Sequence, residues 1–155
     1  MKDHNEPEVD EDPVVMYLIV HESLNMGMGK TAAQCAHASQ MLMMKFNAIE
    51  VALDTIEQLD NTFGSLTANE IREWDLKHPK HLIFNEWLAS SYRKVVLRAS
   101  DKDWAKLKEE FKDSMVLVID AGLTEIAAGS ETVIGLWPLR KSNVSKTVKR
   151  LQVLK

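Results

Sequence analysis

The run Val14-Val15-Met16-Tyr17-Leu18-Ile19-Val20 constrains the fold more than any other stretch of this chain. It has strand length and no polar alternation, as expected for a strand buried on both faces. Residues from Lys30 to about Ala48 then read as a helix, apolar almost all round and rich in Ala, Cys and Met. Its small residues allow close approach to a sheet. Val95–Ala99, Met115–Ile119 and Thr132–Leu136 are further expected strands, with a helix capped by Ser100 or Asp101 and running through Phe111. Strands alternating with helices imply an α/β fold built around a small, mostly parallel sheet of about four strands.

The connecting regions are legible in the same terms. Glu50–Leu59 continues or restarts the first helix, and Asp60-Asn61-Thr62-Phe63-Gly64-Ser65 breaks it. Thr67-Ala68-Asn69-Glu70 has capping-box spacing for a helix through Trp74, and Pro79 suits the first turn of another reaching about Ser90. Near the end, Ser142 or Asn143 starts a short basic helix, and Leu151–Leu154 adds a terminal strand.

At 155 residues the chain fits one domain with a core of its own. Cys35 is the only cysteine, which excludes an intramolecular disulfide and suits a reducing compartment. Residues 1–13 read as an acidic disordered tail, neither signal peptide nor anchor. No later stretch approaches the roughly 18 apolar residues of a membrane span, so a cytoplasmic protein is expected. The net charge of −4 is misleading as a guide to partners, because residues 1–12 alone carry −5 and the remainder +1. Pro138–Lys155 holds six basic residues and no acid, a surface open to an anionic partner.

Two stretches after expected strands look built for chemistry. The first, Asn25–Ala38, puts Lys30 between Gly27, Gly29 and the first turn of a helix, where a cation opposes the helix dipole and invites something negative. Lys30, Gln34 and His37 fall at i, i+4 and i+7 and share one stripe. The second, Ile119–Val133, sets Asp120, Thr124 and Thr132 around a glycine-rich turn that includes Gly129 and Ser130. Taken singly, each has an ordinary reading: Asp120 as a turn residue capping its own backbone, the threonines as turn and strand residues, and His37 as a hydrogen-bonded core histidine with Gln34 as its counterpart. Gly29-Lys30-Thr31 also suggests a nucleotide-binding loop with Asp120 as a magnesium ligand, but the glycine such a loop needs five positions earlier is Leu24. His78-Pro79-Lys80-His81 has metal-like spacing without supporting cysteine or acid, and no metal site or cofactor is expected.

Together the two stretches resemble the type II peptidyl-tRNA hydrolase family, the archaeal and eukaryotic kind. The family's glycine-rich turn and Ala-Ala-Gln…His-Ala stand here as Met26-Gly27-Met28-Gly29-Lys30, Ala32-Ala33-Gln34 and His37-Ala38. Its second motif stands as Asp120-Ala121-Gly122, Thr124, Gly129-Ser130 and Thr132-Val133. The resemblance covers most of residues 14–155. It implies a three-layer α/β/α fold with a small mixed sheet, often dimeric, that hydrolyses the ester between a peptide and the 3′-terminal ribose of tRNA without a cofactor. The catalytic set it implies is Lys30, Asp120, Thr124 and Thr132, with Gly27, Gly29, Gln34, His37, Gly129 and Ser130 binding substrate. This chain departs from the family pattern in three places. Met28 replaces a lysine and removes one phosphate contact, Trp137 replaces a glycine and adds a bulky ring near the site, and a helical insert lies around residues 59–87. Two other readings stay open: a P-loop-like nucleotide-binding protein, and a non-catalytic relative that binds a protein or RNA partner through the insert.

Overall fold

The computed structural model describes residues 9–63 and 79–155. Strand β1 (Val14–His21) forms the middle of the sheet and is buried along almost its whole length. Val14, Met16, Leu18 and Val20 enter one core, under α1 (Met28–Phe63) and α2 (Pro79–Ala89). Val15, Tyr17 and Ile19 enter a second core, under α3 (Asp101–Glu110) and the short α4 (Lys146–Lys149). Helices therefore cover both faces, which is why the strand carries no polar alternation.

The remaining strands are β2 (Lys94–Ala99), β3 (Met115–Ile119), β4 (Glu131–Leu136), β5 (Leu139–Arg140) and β6 (Gln152–Val153). They assemble in the order β3-β4-β1-β2-β6, with β5 also pairing β1. Among the described residues the sheet thus has six strands rather than four, and it is not mostly parallel. Of their pairings only β1 with β2 is parallel, from Met16 opposite Lys94 to His21 opposite Ala99; the others are antiparallel. The alternation of strands and helices does set the direction of β1, β2 and β3, which all point the same way. What it misses is β4. No helix intervenes between β3 and β4, so the chain returns antiparallel and inserts β4 between β3 and β1.

Helix α1 runs on to Phe63, through the Asp60-Asn61-Thr62 expected to break it. It is also less buried than its composition suggests. Cys35, Ala38, Leu42 and Phe46 form its core stripe, while Ala32, Ala33, Ala36, His37 and Met44 face solvent. Burial pushes the Cys35 thiol pKa up, which keeps it in the unreactive protonated form. Gly135 of β4 lies directly beneath this helix, where a Cβ would meet Val116, Leu42 and Ala38 at 3.0–3.2 Å. In α3 the Ser100 side chain accepts from the Asp103 amide, and Asp101 and Asp103 oppose the positive end of the dipole. The helix expected over Thr67–Trp74 and most of the acidic tail lie outside the described residues. At the end of that tail, Asp12 accepts from the Ser142 amide and hydroxyl at 2.8 and 2.7 Å. Among the described residues no helix is long and apolar enough to cross a membrane.

Trp137 is not beside the candidate site. It follows the far end of β4, five residues and so roughly 16 Å of extended chain from Thr132. Its ring packs 4.7 Å from Phe84, which stacks 4.3 Å from Phe46, and its Nε1–H donates to the Lys80 carbonyl at 2.7 Å. The bulky residue at this position therefore receives α2. Replacing Trp137 with alanine is expected to cost about 3–5 kcal/mol, the usual penalty for emptying a buried aromatic site. Urea denaturation measures it, and the turnover of the folded fraction is expected to stay at the wild-type level.

Candidate active site

The carboxyl ends of β1 and β3 and the amino end of β4 meet at one edge of the sheet. After β1 a 3₁₀ turn (Glu22–Leu24) and Asn25, at φ 46°, reverse the chain into α1. Lys30 stands in the first turn of that helix. Its Nζ donates to Asp120 Oδ1, just past the end of β3, and the two side chains are only 11% and 6% exposed. The anion that the lysine's position called for is thus part of the protein.

Three further groups complete the pair. The Gln34 Nε2 donates to Asp120 Oδ1 at 3.2 Å, and the Gly122 amide donates to Oδ2 at 2.8 Å. Because a carboxylate only accepts, the Gln34 amide nitrogen faces Asp120 and its carbonyl is left for Thr132, whose hydroxyl donates at 2.6 Å. The same hydroxyl lies 3.2 Å from the Val118 carbonyl. Lys30, and after it the Gly122 amide, hold the Asp120 carboxyl below its ordinary pKa of 3.8 against the opposing effect of burial. The loop is closed by Asp120 N to Ser130 O at 2.9 Å and Gly129 N to Asp120 O at 2.8 Å. Gly122 is irreplaceable in this turn: φ is +75°, and a Cβ would lie 2.5 Å from the Ala128 backbone.

Thr132 reaches Gln34 through a β-bulge. Val118 pairs with Val133 but Ile119 pairs with Glu131, so one extra residue of β4 is accommodated there. Val133 and Gly135 face α1, whereas Ile134 and Leu136 face the opposite core. Strict alternation would send Thr132 to that opposite face. The bulge instead turns it toward α1, beside Val133. Alternating polarity in the sequence carries no trace of this step.

The other expected residues divide into two groups. His37 and Thr124 line a cavity of about 540 Å³ together with Lys30, Gln34 and Asp120, with Ala33, Ile119, Ala121 and Leu123 supplying much of the remaining wall. Both are exposed, and Thr124 lies at the rim rather than with the buried group. Gly29 has open space around it, and the Gly27 amide donates to Glu125 Oε2 at 3.2 Å. The Ser130 hydroxyl turns back to the Ala127 carbonyl at 2.7 Å. Gln34, expected as a structural counterpart of His37, instead links Asp120 to Thr132.

The sequence model of the family described as Peptidyl-tRNA hydrolase PTH2 matches residues 14–154. The chain belongs to that family. Similar proteins named peptidyl-tRNA hydrolase include one from Methanococcus vannielii, 27% identical over 143 residues that cover 88% of this chain and 96% of the relative. Another, from Thermoplasma acidophilum, is 27% identical over 90% of this chain and 97% of its own length. One from Saccharolobus islandicus is 26% identical over 91% and 99%. The match to the PTH2 family begins with β1 and ends beyond β6, so it spans both cores and every residue of the buried cluster.

The lowered pKa of Asp120 has a definite sign. The folded-state value lies below the unfolded one, so this group's contribution to stability is complete above 3.8 and is lost as pH falls through the lower folded value. In Lys30→Met the cation is gone and burial remains, so the Asp120 titration is expected to move upward. Carbon-detected NMR of the carboxyl group follows it directly.

Proposed function

We propose that this member of the PTH2 family is a cytoplasmic three-layer α/β/α enzyme that hydrolyses peptidyl-tRNA, releasing free tRNA and peptide. The observation that carries this reading is the buried Lys30–Asp120 pair opening onto a cavity with a largely apolar wall. Water is the nucleophile in this scheme. Asp120 orients it and takes its proton as the water oxygen bonds to the ester carbonyl carbon. The carbonyl oxygen becomes an oxyanion beside the remaining N–H groups of Lys30, which stabilise it. When the C–O bond to the ribose breaks, the departing oxygen receives the proton.

The threonines have different parts. Thr132 is fully buried and donates its hydroxyl proton to an amide carbonyl, which is no base, so its part is to hold Gln34 against Asp120. Thr124 at the rim is free to hydrogen-bond the substrate, with His37 on the facing helix stripe. Gly27 and Gly29, just before and just inside the start of α1, and Gly129 and Ser130, in the loop before β4, border the entry of the 3′ end in this scheme. The exposed Lys146, Lys149 and Arg150 lie in the acid-free C-terminal segment and suit contacts to tRNA phosphates. The nucleotide-loop alternative has less support, since position 24 is leucine where such a loop needs glycine.

Release of tRNA from a purified peptidyl-tRNA is the direct test. The wild type is expected to turn over, while Lys30→Ala and Asp120→Asn lose on the order of 10²–10³-fold in kcat, the scale of removing an oxyanion donor or a general base. A wild type without activity overturns the enzyme reading in favour of a non-catalytic relative. Unchanged turnover in either variant removes that residue from the scheme.

A further inference from the structure

On the face of the sheet opposite the cavity, a cluster of polar side chains surrounds the residue before Thr132. The Glu131 carboxylate accepts from Trp104 Nε1 at 2.8 Å and from Lys108 Nζ at 2.7 and 2.9 Å, both on α3. Its backbone carbonyl is met by His21 Nδ1 at 2.9 Å, and because a carbonyl only accepts, that nitrogen donates. The His21 ring is itself held. It stacks on Trp104 with centroids 4.2 Å apart and planes 7° from parallel, and its Nε2 lies 2.8 Å from Asp101 Oδ1, which also accepts from the Ser23 hydroxyl at 2.7 Å. Glu131 is thus gripped twice, by its side chain from α3 and by its carbonyl from the end of β1.

We propose that Glu131 is a positioning residue: clamped by Trp104, Lys108 and His21 on one face of the sheet, it fixes the bulge that turns Thr132 to Gln34 on the other. The argument is one of register. With Glu131 held toward α3 and Val133 and Gly135 held toward α1, the single residue between Glu131 and Val133 has nowhere to go but the α1 side. Releasing the clamp frees the extra residue to move along β4. Thr132 would then leave Gln34, and the Gln34 carboxamide would lose the partner that orients it on Asp120. Lys108 and the indole also hold the Glu131 carboxyl below its ordinary pKa, so the clamp is ionised at neutral pH.

This inference rests on the hydrolase reading for its effect on rate, but its structural half is testable without it. In peptidyl-tRNA hydrolysis, Glu131→Ala is expected to lower kcat by roughly tenfold to a hundredfold, the scale of a small misplacement of a catalytic group, with KM within about twofold. Glu131→Gln keeps an oxygen for the indole and for Lys108 and is expected to recover much of that loss. The decisive comparison is with Thr132→Val. If Glu131 acts through Thr132, adding Glu131→Ala to that variant changes kcat no further; an equal drop in both backgrounds means general destabilisation and overturns the proposal. Independently of activity, the side-chain amide signals of Gln34 in ¹H–¹⁵N spectra are expected to shift in Glu131→Ala and to return toward wild type in Glu131→Gln. Unmoved Gln34 signals in a folded Glu131→Ala protein also overturn it. A wild type that hydrolyses nothing, combined with shifted Gln34 signals, would sink the hydrolase reading and leave the clamp standing.

Discussion

A cation and a carboxylate taken out of water together, Lys30 and Asp120, set the terms for the rest of this structure. Such a pair is costly unless its remaining hydrogen-bonding capacity is met. Here Gln34 and the Gly122 amide meet it on the carboxylate, and Thr132 in turn meets the free end of Gln34. Each of these groups comes from a different piece of chain: the first two turns of α1, the loop after β3 and the start of β4. The pair can exist only if all three arrive in register, so the order of the sheet and the seating of α1 are part of the site.

The two ends of the sheet divide the work. At one end lie the ionised and hydrogen-bonded groups around Asp120. At the other, Trp137, Phe84 and Phe46 form an aromatic cluster that anchors α2, joined by the Arg140–Glu86 ion pair at 2.7 Å. Helix α2 is therefore attached away from the cavity. Trp137 and α2 pack on one another, the ring against Phe84 and its Nε1–H on the Lys80 carbonyl.

Much of this was legible in the sequence, for reasons that differ by element. The run at Val14–Val20 marks a doubly covered strand because burial on both faces removes polar residues. Ser100 marks the start of α3 because a helix's free amides need an acceptor. Lys30 stood out because its charge opposed its position. The order of the strands was less legible: a helix between strands reports their relative direction but not whether a later strand will insert between neighbours, as β4 does. The bulge at Thr132 was invisible for a related cause, since one inserted residue breaks the period-two pattern on which strand faces are read. Trp137 was misread because proximity in the sequence to the second motif is not proximity in space along an extended strand.

Gly135 carries a consequence for how widely control of the site is spread. It has ordinary backbone angles and touches nothing reactive, yet the absence of a side chain there lets α1 rest directly on β4. A single methyl group would have to displace Leu42, Val116 or Ala38 by a few tenths of an ångström, and Ala38 lies one turn along the helix from Gln34. That displacement is comparable to the margin between a good hydrogen bond and a poor one at Thr132. The precision of the chemistry is therefore written partly in a missing side chain that lets the helix close down on the sheet, at a position that a search for polar residues would pass over.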